Sequence, residues 1–522
     1  MVPAALPQLW KYREICTMRY SLFHVERMEA ATLQAQIREM LVTAMLAGQL
    51  PASSAVPSTR AMAKRLKVSR NTVMLAYQAL AADGYLVARE RSGFYVSPDV
   101  RKGIVEAQPK KSRPRAATGA IDWNSRLRVS PSQQLNIQKP ENWHDYPYPF
   151  IYGQVDASLF PITAWRDCMR QAMSLKWFDA WTDDRFNADD PMLVEQIRQR
   201  ILTRRGVMAE SDEILVTMGA QNALFLIANL LVKPDTPVHV EDPGYPDIRN
   251  MFALLSNDLR TISVDGQGLR TQELKDGGIV FTTPSHQFPT NVTLSLERRR
   301  QLLGWASDND GLIIEDDYEY ETNYRGEPTP ALKSLDREGR VLYVGSLSKS
   351  MMPGIRMGFL VAPAPLVREL RAMRRLMLRH PPGNNQRVVA LFLALGRHDA
   401  LINRLQRTYH SRWEAMDEAL GRHFPGWSQS PVFGGTSFWV RGPGDLDAEK
   451  LSVEALKDGV VIEPGSVFFA RPDSNRNFFR LGFSSIPEQR ISEGIERLAA
   501  AAMQMGIDPL STMDSSPVSA SG

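Results

Sequence analysis

VLYVGSLSKSMMPGIRMG, residues 341–358, decides how most of this chain is read. The apolar run Val341, Leu342, Tyr343, Val344 reads as a β-strand, and it delivers Ser346, Ser348, Lys349 and Arg356 just past its carboxyl end. Working outward, EILVT (213–217), PVHVE (237–241), GIVFT (278–282), GLIIE (311–315) and RMGFLVA (356–362) read as further strands. NALFLIANLL (222–231), SLERRRQLLGWAS (295–307) and PLVRELRAMRRLM (365–377) read as helices between them. Alternation of this kind predicts an α/β fold with a largely parallel sheet. Ligands of such sheets sit outside the carboxyl ends of the strands.

Three further strand ends carry chemistry. TMGAQNAL (217–224) sets a Gly-rich turn before a helix N-terminus, which makes an anion cradle. EDPGYP (241–246) presents Tyr245 on a turn, and GLIIEDDYEY (311–320) delivers Asp316 and Tyr318. Singly, each has a plain structural reading: a strand-end Asp is more often structural, a Lys after a strand is usually solvated, and a Tyr usually packs. Their combined order shifts the balance, because each lands after its own strand. An amine, a carboxylate, a phenol, an anion site with cationic support and an aromatic plate suit pyridoxal phosphate. Lys349 would form the Schiff base, the carboxylate would keep the pyridine nitrogen protonated, and the hydroxyls with Arg356 would bind the phosphate.

Rival chemistries fail on detail. IIEDD imitates a nucleotide-hydrolysing strand, but the chain has no Gly-Lys dipeptide and so no P-loop. Ser346–Lys349 matches S-x-x-K and Ser307–Asn309 matches S-D-N, yet they stand in the wrong order and K-T-G is absent. The 8 His residues show no H-x-x-x-H spacing, so no metal site is expected.

Residues 29–98 form a separate compact unit. Residues 31–47 put Leu33, Ile37, Met40, Leu41 and Ala44 on one helical face, and Gly48 ends that helix. Ser58 caps a second helix with Met62 and Leu66 inward. A short turn leads to a third, with Val73, Ala76, Tyr77 and Leu80 inward and Gly84 at its end. YLVAR and GFYVS then read as a hairpin. Three helices and a hairpin make a winged helix-turn-helix. The start of its third helix would present Ser69, Arg70, Asn71 and Thr72 to a major groove, where Arg reads guanine and Asn reads adenine. Arg60, Lys64 and Arg65 would meet phosphates, with Arg89 and Arg91 on the wing. The plainer reading is a helical protein–protein module with solvated basic residues; the order helix, helix, turn, helix, wing favours DNA. The string VPSTRAMAKRLKVSRNTVMLAYQALAADGYLVARERSGFYV (56–96) resembles the GntR-type winged-helix family. That resemblance implies DNA contacts from Arg60, from Ser69, Arg70 and Thr72, and from the wing Gly93. One departure is the loop PASSAVP (51–57), which lacks the family's Gly.

Residues 126–505 resemble the fold-type I, aspartate-aminotransferase-like enzymes, most specifically in TMGAQNAL, EDPGYP, TTPSHQFPT, IIEDDYEYE and GSLSKSMMPGIRMG. Joined to a GntR-type head, the whole chain resembles the MocR/GabR regulators. The resemblance implies that Lys349 carries pyridoxal phosphate as an internal aldimine. It implies that Asp316 pairs with the pyridine nitrogen, Tyr318 contacts the ring 3-hydroxyl and Tyr245 stacks near the ring or lines the effector pocket. The amides of Ala220 and Gln221, with Ser346, Ser348 and Arg356, would hold the phosphate. Arg480, in FRLGFS (479–484), matches the arginine that binds an effector carboxylate. Departures are Asn291 where the family often has Gly, Phe288 where aminotransferases carry Asn, and Asp247 near the place of a gating Arg.

The implied function is a pyridoxal-phosphate-dependent regulator that binds operator DNA and senses an amino compound or the vitamin, as a homodimer, without efficient turnover. The alternatives are a working aminotransferase with an appended domain, and a cofactor-free dimerisation scaffold. Composition agrees with the division. With 62 basic and 58 acidic residues the net charge is only +4, so a nucleic-acid surface must be local. Residues 99–125 read as a basic flexible linker carrying Lys110, Lys111, Arg113 and Arg115. Residues 1–28 read as an extension and 506–522 as a disordered Ser/Pro-rich tail. Cys16 and Cys168 are too few for a disulfide framework, and the longest strongly apolar stretch, 223–232, is too short for a membrane span, so a cytoplasmic protein is expected.

Overall fold

The computed structural model describes residues 31–100, 102, 121–323, 329–428 and 434–510. The extension, the basic run of the linker and the chain after 510 lie outside the described residues. The chain divides into two compact units, Met1–Trp123 and Asn124–Gly522.

In the small unit, helices α1 (Leu33–Leu46), α2 (Thr59–Leu66) and α3 (Arg70–Ala82) precede strands β1 (Leu86–Arg89) and β2 (Gly93–Val96). Each helix starts at a hydroxyl: Thr32, Ser58 and Ser69 accept from the amides of Ala35, Ala61 and Thr72 at 3.3, 3.2 and 3.0 Å. The strands pair antiparallel, with Leu86 opposite Val96 and Arg89 opposite Gly93. Ile37, Leu41, Val73, Ala76, Tyr77 and Leu80 are buried in a core drawn from this unit's own residues. Leu33 and Met40, expected inward, are half-buried, and Met45 closes the core instead.

The large unit is built on an eight-stranded sheet. Its strands are β3 (Ile214–Thr217), β4 (Val238–Asp242), β5 (Leu259–Asp265), β6 (Gly268–Leu269), β7 (Ile279–Thr282), β8 (Leu312–Asp317), β9 (Val341–Ser346) and β10 (Gly358–Val361). They lie in the order β3-β10-β9-β8-β7-β4-β5-β6. The run from β9 through β8, β7 and β4 to β5 is parallel, while β10 is antiparallel to both neighbours. Alternate residues feed two cores: Leu215, Leu342 and Leu360 pack on one face, and Val216, Tyr343 and Phe359 on the other. Covering both faces is what a parallel sheet requires. Strand β5, unforeseen above, is a half-exposed run whose polar residues Arg260, Thr261 and Ser263 mask the strand period.

A second sheet joins β11 (Ser437–Arg441), β12 (Glu463–Pro464) and β13 (Phe478–Gly482). Its register sets Arg480 opposite both Trp439 and Glu463. Among the described residues, no helix is long and apolar enough to cross a membrane.

Candidate functional site

Parallel strands bring their carboxyl ends to one edge, and a cleft of about 350 Å³ opens there. It is lined by all ten residues of the large unit named above for cofactor or effector: Ala220, Gln221, Tyr245, Asp316, Tyr318, Ser346, Ser348, Lys349, Arg356 and Arg480. Each arrives on a different local device. Gly219 takes φ +81°, open to glycine, and starts the helix Ala220–Leu231, whose first residues Ala220 and Gln221 line the cleft. Arg356 packs on that glycine and donates to the Met218 carbonyl at 3.1 Å. Tyr245 precedes the helix Pro246–Ala253, its hydroxyl 2.8 Å from Gln221 Oε1 and 3.0 Å from Asp247 Oδ2. Asp247 is thereby tied to the tyrosine and Gln221.

Strand β8 places Asp316 and Asp317 on opposite faces. Asp317 is spent on structure: it takes Arg205 Nε at 2.7 Å and the Tyr343 hydroxyl at 2.8 Å. Asp316 faces the cleft, and its Oδ1 is buried without a hydrogen-bond partner. Burial, reinforced by the charge of Asp317, pushes the Asp316 carboxyl up to about 7, against the pull of Lys349. Burial likewise lowers the Lys349 amine, against the pull of Glu319. The Tyr318 hydroxyl donates to the His286 carbonyl at 2.8 Å, and burial raises it strongly.

Several site residues carried no local signal in the sequence. Tyr152 lies under the Lys349 amine, 4.2 Å from Nζ to ring centre, and its hydroxyl donates to Glu319 at 2.7 Å. Arg480 is enclosed by the rings of Tyr152, Phe288 and Phe468, at 4.1, 4.5 and 4.7 Å. Its Nε donates to Glu463 at 2.8 Å, and both terminal nitrogens are buried without a partner. The other Glu463 oxygen takes the Tyr152 amide at 3.2 Å, which joins residues 311 apart in the chain. Phe288, a departure from the aminotransferase pattern, serves here as a wall of the arginine's box.

The chemistry of this donor set fits pyridoxal phosphate. An orphaned, buried carboxylate oxygen suits a ring N–H, a buried amine suits an aldehyde, and a helix start with two hydroxyls and an arginine suits a phosphate. Gly153 (φ +77°) sits so close that a Cβ there would stand 2.9 Å from Lys349 Nζ. Gly153→Ala is therefore expected to cost about 1–2 kcal/mol from its left-handed backbone. It should also slow capture of added pyridoxal phosphate by Lys349, measured as borohydride-trapped adduct over time.

On the small unit, Arg60, Ser69, Arg70, Asn71 and Gly93 are exposed and Thr72 is half-buried. Ser69 and Thr72 are partly engaged with each other, hydroxyl to hydroxyl at 2.8 Å, and Arg70 Nε reaches the Thr59 hydroxyl at 3.4 Å. Asn71 and Arg60 point outward with no such local tie among the contacts described. On the wing, Arg89 lies over the Tyr95 ring at 4.2 Å.

Two family models match the chain: "Bacterial regulatory proteins, gntR family" over residues 33–96 and "Aminotransferase class I and II" over residues 183–498. The HTH-type transcriptional regulator TauR of Rhodobacter capsulatus is 44% identical over 476 residues, covering 90% of this chain and 96% of its own. The probable rhizopine catabolism regulatory protein MocR of Rhizobium meliloti is 30% identical, over 92% of this chain and 97% of its own. Among solved structures, a kynurenine aminotransferase of Pyrococcus horikoshii in complex with PMP superposes with a TM-score of 0.66 at 28% identity. That match covers 74% of this chain and 97% of the enzyme.

Proposed function

Because the chain belongs to the MocR-type bacterial regulators, which join a gntR-family head to a class I and II aminotransferase domain, we propose that it is a transcriptional regulator whose head grips operator DNA and whose large unit binds pyridoxal phosphate and senses an amino compound or the vitamin itself. The observation that carries this reading is the pairing, in one cleft, of the Lys349 amine with the orphaned Oδ1 of Asp316. When bound, the cofactor supplies an aldehyde that joins amines reversibly and a ring that withdraws electrons. Lys349 offers an amine whose burial favours the neutral, nucleophilic form. Asp316 holds a proton on the ring nitrogen. Ser346, Ser348, Arg356 and the amides of Ala220 and Gln221 offset the phosphate charge. Arg480 keeps two terminal nitrogens for an anionic end of the effector, while Tyr152, Phe288 and Phe468 keep water from it.

Winged-helix heads read paired half-sites, so the working form is a homodimer in the cytoplasm. An effector changes regulation only by favouring one conformation of that dimer. Trapping tests the reading: borohydride reduction after addition of pyridoxal phosphate should leave a pyridoxyl group on residue 349, and an adduct elsewhere, or none, would refute it. On the DNA side, Arg60→Ala should weaken binding to any duplex and reduce the salt slope by about one. Asn71→Ala should instead cost about 1–3 kcal/mol on the operator and little on random duplex. Fluorescence anisotropy across salt concentrations separates the two.

A further inference from the structure

Lys349, Gly153 and Gln154 are walls common to two cavities. One is the cleft. The other, of about 20 Å³, is bounded by Glu319, Glu321, Thr436 and Tyr409 and has room for a single water-sized group. We propose that this small cavity is the docking site of the Lys349 ammonium itself after an effector amine has displaced it from the cofactor. The proposal rests on the reading that Lys349 carries pyridoxal phosphate.

The size of the cavity excludes an effector and admits an ammonium. Its acceptors are built in. Glu319 and Glu321 are 4% and 6% exposed. Glu319 Oε1 is fixed by the hydroxyls of Tyr152 at 2.7 Å and Thr436 at 2.9 Å, which leaves Oε2 buried without a partner. Glu321 Oε1 is buried without a partner as well. Lys349 is the one cation among the described residues that line this cavity. Its Nζ already stands over the Tyr152 ring, and the hydroxyl of that ring is bound to Glu319. The proposed move is a rotation of the lysine side chain between two cavities that it already lines.

The exchange balances. The effector's nitrogen bonds to the cofactor's aldehyde carbon, the bond from Nζ to that carbon breaks, and every proton that the effector's ammonium sheds in forming its imine passes to Nζ, three where both imines are unprotonated and two where both are protonated. Lys349 thus leaves as an ammonium, and the unpartnered oxygens of Glu319 and Glu321 receive it. An ammonium held there has no lone pair with which to take a further proton from the effector. Retention of the lysine favours a stable liganded state over turnover, which is what a sensor needs.

The test begins with the wild-type protein crystallised with pyridoxamine phosphate, which has an amine in place of the aldehyde and leaves Lys349 free. Nζ is expected within about 3.2 Å of a Glu319 or Glu321 oxygen; Nζ in the cleft, away from both, overturns the proposal. The second measurement titrates methylamine into the pyridoxal-phosphate form, reduces with borohydride, and follows by mass spectrometry how much pyridoxyl stays on residue 349. For Glu319→Gln the methylamine concentration that releases half the label should rise about tenfold, the scale of one charge-assisted hydrogen bond. An unchanged midpoint counts against retention. A wild type that takes no label on Lys349 before methylamine is added refutes the underlying cofactor reading and this proposal with it, so the two failures are distinct.

Discussion

Asp317→Ala is expected to destabilise the large unit by about 3–5 kcal/mol, the cost of stranding a buried charge by removing its partner. Arg205 and Asp317 are 4% and 0% exposed at their side chains and meet at 2.7 Å. Arg205 also donates to the Thr329 carbonyl at 2.8 Å and to the Ser285 hydroxyl at 2.9 Å, so the guanidinium cannot swing out to water without breaking further bonds. Urea unfolding followed by circular dichroism should show a lower midpoint with little change of slope. Arg205→Met should cost a similar amount, and the double variant less than the sum, because removing both charges leaves none uncompensated. The same pair sets the acid limb. Despite burial, Arg205 holds the Asp317 carboxyl below its ordinary value. A carboxyl lowered by folding contributes stability above its unfolded value, about 3.9, and that contribution fades as pH falls through the lower folded value. The alanine variant should therefore lose less stability than the wild type on acidification below about pH 4.

The head and four of the strand ends were legible because their signals are local. Ser58 and Ser69 cap helices from within three residues of the amides they bind, and the inward set Val73, Ala76, Tyr77 and Leu80 follows from helical period alone. Lys349 could be picked out because it closely follows an apolar strand, and Asp316 through the family string IIEDDYEYE. The walls of the site could not. Tyr152 and Glu463 meet across 311 residues, and neither sits in a pattern that distinguishes it from a packing residue. Adjacent Asp316 and Asp317 look equivalent in sequence; only the pleat separates the cleft face from the buried Arg205 face. Glu319 and Glu321 stand in the acidic run EDDYEYE with no local sign of burial, yet tertiary packing buries both against the lysine.

Asp316→Asn should move stability and cofactor affinity in opposite directions. In the cofactor-free protein the carboxyl is raised to about 7 by burial and by the neighbouring Asp317. Between its unfolded value near 3.9 and about 7 the folded state binds more protons than the unfolded one, so this group makes stability fall as pH rises through that window. Above it, the wild type must hold an unpaired carboxylate oxygen in the cleft. Asparagine carries no charge to desolvate, so the empty variant should be more stable than the wild type by about 1–3 kcal/mol near pH 8, and equal to it near pH 4, as read by thermal unfolding. Binding should go the other way. Without the carboxylate the ring nitrogen loses a charge-assisted hydrogen bond worth about 1.5–3 kcal/mol, and the dissociation constant for pyridoxal phosphate should rise roughly 10- to 150-fold. A residue kept only for the fold would lose stability on replacement and leave the cofactor untouched. A variant less stable than the wild type near pH 8, or one that binds the cofactor as tightly, would show that Asp316 belongs to the scaffold and that its orphaned oxygen does not await a ring nitrogen.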